Sequence, residues 1–169
     1  MTAVLDPQNP VAPHPDIAHL APLLGTWRGN GHGEYPTIQP FDYLEEVHFG
    51  HVGRPFLTYR QRTRAADGSR PMHAETGYLR PNGRDRIELI LAHPTGITEI
   101  CEGSLVAENG DLRIELDSTT IGRSSTAKSV TALGRSFTLA GDSLDYTLRM
   151  AAVDQPLQHH LAATLRRDN

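Results

Sequence analysis

The chain has 169 residues, of which 38% are apolar, 6% aromatic and 21% charged, a composition that supplies one real core and excludes a disordered or fibrous protein. Sixteen Lys and Arg against twenty Asp and Glu give a net charge of −4 with no basic run, which argues against sequence-independent nucleic-acid binding. A single cysteine, Cys101, excludes an intramolecular disulfide and any Cys-rich metal site, and no apolar run approaches the ~18–20 residues that cross a bilayer.

The segment from Met1 to Pro15 has neither the basic start nor the apolar stretch of a signal peptide, so residence in the cytoplasm is expected. Pro7, Pro10, Pro13 and Pro15 make residues 1–15 read as a disordered or loosely draped tail, with the domain proper over 16–169. Ile17, Leu20, Leu23 and Leu24 then recur at three- and four-residue spacing behind Asp16, a candidate N-cap. This predicts a short helix ending at Gly25, suited to plug one end of something larger. Everything beyond reads as strand and turn. The predicted strands cover 25–34, 42–49, 56–65, 72–80, 86–92, 96–107, 111–119, 127–140, 143–152 and 158–167. Asp67-Gly68, Asn82-Gly83, Asn109-Gly110 and Gly141-Asp142 supply the positive φ that tight hairpin turns need. Ile114 and Leu116 oppose Arg113, Glu115 and Asp117, and Leu144, Tyr146, Leu148 and Met150 oppose Asp145, Thr147 and Arg149, so one face is dry and one wet. The absence of βαβ spacing and the hairpin order predict an all-β fold: a ten-stranded antiparallel up-and-down β-barrel with a short N-terminal helix.

A barrel of this size has room for a small ligand, and on composition alone a core filled by Leu, Ile and Val fits equally well. The sequence lacks a nucleophile elbow, a phosphate-binding loop and a HExxH motif. The glycine-rich stretch Gly25-Thr26-Trp27-Arg28-Gly29-Asn30-Gly31 does not have the spacing of a dinucleotide loop. Its glycines let a first strand bend sharply or approach a ligand closely, and Trp27 would either close the barrel floor or lie against a flat ligand. Nine histidines are scattered without a recognisable metal motif. His159 and His160 stand out because they fall in a predicted strand, where an imidazole aimed into an apolar cavity can ligate a metal or haem iron.

Taken together, the GxWxGxG stretch of residues 25–31, Tyr35-Pro36-Thr37-Ile38-Gln39-Pro40-Phe41, Tyr43-Leu44-Glu45-Glu46-Val47, His73 with Glu75-Thr76-Gly77-Tyr78, Ala92-His93-Pro94, Thr126-Ala127-Lys128 and Gln155-Pro156-Leu157-Gln158-His159-His160-Leu161 resemble the nitrobindin family. The resemblance runs from about Leu20 to Arg167. It implies a ten-stranded barrel holding haem b with ferric iron, binding of nitric oxide, and isomerisation of peroxynitrite to nitrate. It places the axial, catalytic histidine on His160, haem contacts on Thr37 and Lys128, and the glycine motif (Gly25, Trp27, Gly29, Gly31) at the cofactor. It also implies a homodimer. Lys128 would pair with a propionate, against the plainer role of an exposed lysine on a strand, and Thr37 would donate to the other propionate, against simple turn chemistry.

Strand alternation disagrees with the axial assignment. Parity groups His159 with Leu161, Ala163 and Leu165, and His160 with Ala162, Thr164 and Arg166, so periodicity alone points His159 inward. For His160 to face the ligand, the leucine face would have to pack outside the barrel against the helix or a second subunit. The resemblance favours His160, with His159 as the alternative. A different functional class also fits the barrel: a carrier of small apolar ligands of the fatty-acid-binding or lipocalin type, without catalysis.

Overall fold

The computed structural model describes residues 11–168. Ten strands follow a short helix: β1 (Gly25–Tyr35), β2 (Ile38–Gly50), β3 (Leu57–Ala65), β4 (Pro71–Asn82), β5 (Arg86–His93), β6 (Ile97–Glu108), β7 (Asp111–Arg123), β8 (Val130–Ala140), β9 (Ser143–Ala152) and β10 (Gln158–Arg167). Each pairs antiparallel with its sequence neighbour, and β1 pairs with β10, so the sheet closes into a barrel without a free edge. The expected architecture is therefore the observed one. The strand expected over 127–140 starts only at Val130, because residues 124–129 form the loop after β7, and β2 begins at Ile38, before the expected 42.

The helix is a 3-10 helix, Pro15–Leu23. Its three residues per turn put Ile17, Leu20 and Leu23 on one buried face, while Leu24, in helical phase for an α-helix, is only partly covered. Its N-cap is His14, not Asp16: the His14 Nδ1 accepts from the Asp16 backbone N–H. Of the tail expected over 1–15, residues 1–10 lie outside the described residues. Residues 11–14 carry no regular structure, and Val11 rests against Gly53.

The helix plugs the end of the barrel where β1 and β3 start and where β2 and β10 finish. Trp27, fully buried, donates its indole N–H to the Leu23 carbonyl at 2.8 Å, and the Arg167 guanidinium lies 4.3 Å from its ring centroid. Leu57, Leu79, Ile87, Leu144 and Leu165 complete a dry core at this end. The opposite end is open, with its rim made by the turns and loops after β1, β5, β7 and β9.

Candidate functional site

A cavity of about 620 Å³ opens at the unplugged end, within the ~300–1,000 Å³ range of small-molecule and cofactor sites. Two chemically different walls line it. One is apolar, built from Phe41, Leu133, Leu148, Met150, Leu161 and the edge of Tyr35; the other is polar and deeper.

His160 sits on the apolar wall, and a single irregularity puts it there. His159 pairs with Arg149, but Leu161 pairs with Leu148, so His160 is an extra residue in β10, a β-bulge. His159 faces solvent opposite Arg149. Leu161, Ala163 and Leu165 point into the barrel, as parity requires, and His160 also reaches the cavity because the bulge removes it from the alternation. The inward direction expected for His159 is thus corrected, as is the idea that the leucine face packs outside. The His160 ring is fixed from two sides. Its Nδ1–H donates to the Glu34 carbonyl at 2.9 Å, and Tyr35 packs edge-on at 5.2 Å between centroids. The Tyr35 hydroxyl is held in turn by the backbone of β9, accepting from the Ala152 N–H (2.9 Å) and donating to the Met150 carbonyl (3.1 Å). Because a carbonyl can only accept, the Nδ1 carries the proton and the Nε2 keeps its lone pair. Burial holds the imidazole pKa below its ordinary 6.5, which favours that neutral form.

Thr37, in the turn between β1 and β2, and Lys128, in the loop between β7 and β8, line the same cavity at its rim. Lys128 is the only lysine of the chain, and its side chain forms no salt bridge within the described residues. The glycine motif is elsewhere. Gly25 (φ +116°) turns the corner beside Arg167, and Trp27 lies under the helix at the plugged end. A Cβ on Gly29 would stand 2.0 Å from the Thr164 carbonyl oxygen, and one on Gly31 would stand 2.2 Å from the Tyr43 ring. The inward-facing glycines of β1 therefore admit neighbouring backbone and a tyrosine ring, and none of the four motif residues lines the cavity.

The polar wall contains His73, Glu75 and His93, which the sequence marks as motif residues without a role, and Arg135, which it does not mark at all. Arg135, on β8, is fully buried between two carboxylates. Its Nη1 donates to Glu75 Oε1 (2.7 Å) and to the Tyr146 hydroxyl (2.9 Å), and its Nη2 donates to Glu75 Oε2 (3.1 Å) and to Glu99 Oε1. Tyr59 adds a hydroxyl donor to Glu75 Oε1 at 2.9 Å, and Cys101 donates its S–H to Glu99 Oε2 at 3.1 Å. Burial by itself raises both carboxyl pKa values, but Arg135 and the neighbouring histidines outweigh it and hold Glu75 and Glu99 below the usual range. His93 Nε2 donates to Glu99 Oε1 at 2.7 Å, and its Nδ1 lies 3.2 Å from His73 Nε2. A further carboxyl, Glu45 on β2, is buried beside Tyr43 and Gln61 with neither oxygen in a well-formed hydrogen bond among the described residues. Burial and the nearby Glu75 charge push its pKa from 4.5 up to about 7.

These walls offer an imidazole with a free, oriented Nε2, apolar sides, and a cation with a hydroxyl at the mouth. The comparisons with known proteins point the same way. Residues 16–167 match the family described as the THAP4-like, heme-binding beta-barrel domain. The chain is 76% identical over 168 residues to a peroxynitrite isomerase of Nocardia farcinica, covering 99% of this chain and 100% of that protein. It is 62% identical over 154 residues to peroxynitrite isomerase 2 of Mycobacterium avium, covering 91% and 96% respectively. The crystal structure of Rv2717c from M. tuberculosis superposes with a TM-score of 0.90 at 53% identity, covering 94% of this chain and 100% of that one. With the closed barrel and a free histidine nitrogen in its cavity already in view, the match across nearly the whole domain settles the classification: the chain belongs to the THAP4-like, heme-binding β-barrel family.

Proposed function

We propose that the protein is a haem-dependent peroxynitrite isomerase, in which His160 would hold the iron of ferric haem b and Thr37 and Lys128 would contact its propionates. The observation that carries this reading is the bulge at His160, which gives the cavity a neutral imidazole with a fixed tautomer and a free Nε2. The resident haem iron would supply the Lewis-acidic, redox-active centre at which the O–O bond of peroxynitrite rearranges to nitrate. The chain's own contribution is positional. The Glu34 carbonyl and Tyr35 orient the ligand ring, and Phe41, Leu133, Leu148 and Leu161 keep water from the reacting anion. Lys128 and Thr37, at the rim, would hold the acidic substituents of the group by a charge and a hydroxyl. Nitric oxide is the second small ligand of this reading, since an apolar wall accommodates a diatomic that needs no hydrogen-bond donor. Residence in the cytoplasm and a homodimer complete the proposal; among the described residues no helix is long and apolar enough to cross a membrane.

The carrier reading has less support. An acidic headgroup carried to the bottom of the cavity would meet Glu75 and Glu99, because the Arg135 guanidinium there is already engaged by Glu75, Glu99 and Tyr146. The decisive experiment is an ultraviolet–visible spectrum of the full chain with added hemin, beside His160→Ala and His159→Ala. A Soret band kept by His159→Ala and lost or shifted in His160→Ala, with peroxynitrite decay following the same order, is expected. No Soret band in any form overturns the haem reading.

A further inference from the structure

The histidines of the polar wall have a geometry that hydrogen bonding does not require. His73 Nε2, His93 Nδ1 and Glu75 Oε2 form a nearly equilateral triangle with sides of 3.2, 3.4 and 3.4 Å. Three ligands of a tetrahedral ion, each about 2.0–2.1 Å from the metal, stand about 3.3–3.4 Å apart. An ion slightly above the plane of this triangle would therefore reach all three atoms at bonding distance without moving any of them. The two residues come from β4 and the third from the end of β5, rigid strands rather than loops.

The surroundings complete the arrangement. His93 donates its other ring nitrogen to Glu99 at 2.7 Å, the carboxylate–histidine pairing that fixes tautomer and orientation in metal sites and leaves the Nδ1 lone pair facing the triangle. Glu75 is steadied by Arg135 and Tyr59 while keeping lone-pair capacity on Oε2. Charge points the same way. Two buried carboxylates, Glu75 and Glu99, face one buried guanidinium, Arg135, so the second positive charge has to come from the His73–His93 corner, as a proton on an imidazole or as a bound cation. Glu75 and His93 are nearly inaccessible while His73 is about one-third exposed, so the remaining coordination position opens toward the cavity.

We propose that His73, His93 and Glu75 bind one divalent first-row transition ion, with the open coordination position facing the cavity that His160 also lines. Two imidazoles and a carboxylate with a vacant position suit zinc or ferrous iron. The site does not depend on the haem reading, because no residue is shared between the triangle and His160. It gives the cavity a second electrophilic centre able to hold an anionic oxygen.

Zinc calorimetry on the chelator-treated full chain, with one equivalent of hemin present so that His160 is engaged, tests the proposal. One zinc per chain is expected. His73→Ala, at the solvent-accessible corner of the triangle, and Glu99→Gln, behind His93, should each weaken binding by at least about 10–100-fold. His160→Ala should leave the zinc isotherm unchanged while altering the Soret band, so the two readings fail separately. Near-ultraviolet circular dichroism of His73→Ala checks the fold, and cobalt bound to the hemin-free chain should show the ligand-field bands of a four-coordinate site that His73→Ala abolishes. Absence of stoichiometric zinc binding, or an affinity that His73→Ala leaves intact, overturns the proposal and makes a shared proton the only occupant of the triangle.

Discussion

Replacing Glu45 with Gln should stabilise the protein at alkaline pH and leave it nearly unchanged at acid pH. Glu45 is 3% exposed and its carboxyl is pushed from 4.5 to about 7, first by burial and then by the Glu75 charge. The folded chain thus holds this proton more tightly than the unfolded chain does. Between pH 4.5 and about 7 the native state binds more protons, so stability falls as pH rises through that window and is level above it. At about 1.36 kcal/mol per pKa unit the full loss is about 3 kcal/mol. Gln is the neutral isostere of the protonated acid, and its amide can donate to the Gln61 Oε1, which lacks a partner among the described residues. Urea denaturation of both proteins at pH steps from 4.5 to 8.5 reads the difference directly. It should grow from near zero to about 3 kcal/mol in favour of Glu45→Gln, with its midpoint between 5 and 7. A difference that is constant with pH would show that Glu45 is ionised throughout and would refute the argument from burial.

Arg135→Met should cost about 3–5 kcal/mol in urea unfolding at neutral pH, because it strands Glu75 and Glu99 in the wall, and a loss below 1 kcal/mol would mean that water replaces the guanidinium. Gly31→Ala forces a methyl against the Tyr43 ring and should cost about 1–3 kcal/mol, with part of the loss recovered when Tyr43 is shortened to Leu in the same chain. Lys128→Ala should leave the thermal midpoint unchanged and speed hemin dissociation by at most about fivefold, the ceiling for an exposed ion pair; a larger effect would place Lys128 in a desolvated contact.

The fold was largely legible because hairpin turns and two-residue alternation are local signals. Asn82-Gly83 and Gly141-Asp142 each fall at a strand junction, and Leu144, Tyr146 and Leu148 face inward as their parity requires. Alternation failed at His160 because a bulge leaves no mark in periodicity; it shows only as a conflict between parity and residue chemistry. The polar wall was missed for a different reason. Glu75, Glu99 and Arg135 are brought together only by barrel closure, across as many as 60 residues of chain. A usable signal did exist, since Glu75 shares the phase of Leu79, Glu99 that of Ile97 and Cys101, and Arg135 that of Leu133 and Phe137. A charge in the apolar phase of a strand is a buried charge, and three of them demand one another. The glycine motif misled in the opposite direction, because Gly29 and Gly31 make way for the protein's own atoms rather than for a ligand.

The bulge also separates chemistry from architecture. His160 reaches the cavity outside the alternation of β10 and has no partner in the register, so replacing it costs its own contacts with Glu34 and Tyr35 while the pairing of Leu161, Ala163 and Leu165 stays in place. A barrel built this way can lose, regain or exchange its cavity ligand by substitution at one position, with little thermodynamic consequence for the scaffold. Shortening the strand by that one residue would likewise leave the pairing of Leu161 intact while erasing the ligand. Descendants of such a chain can therefore diverge in what they bind long before they diverge in shape.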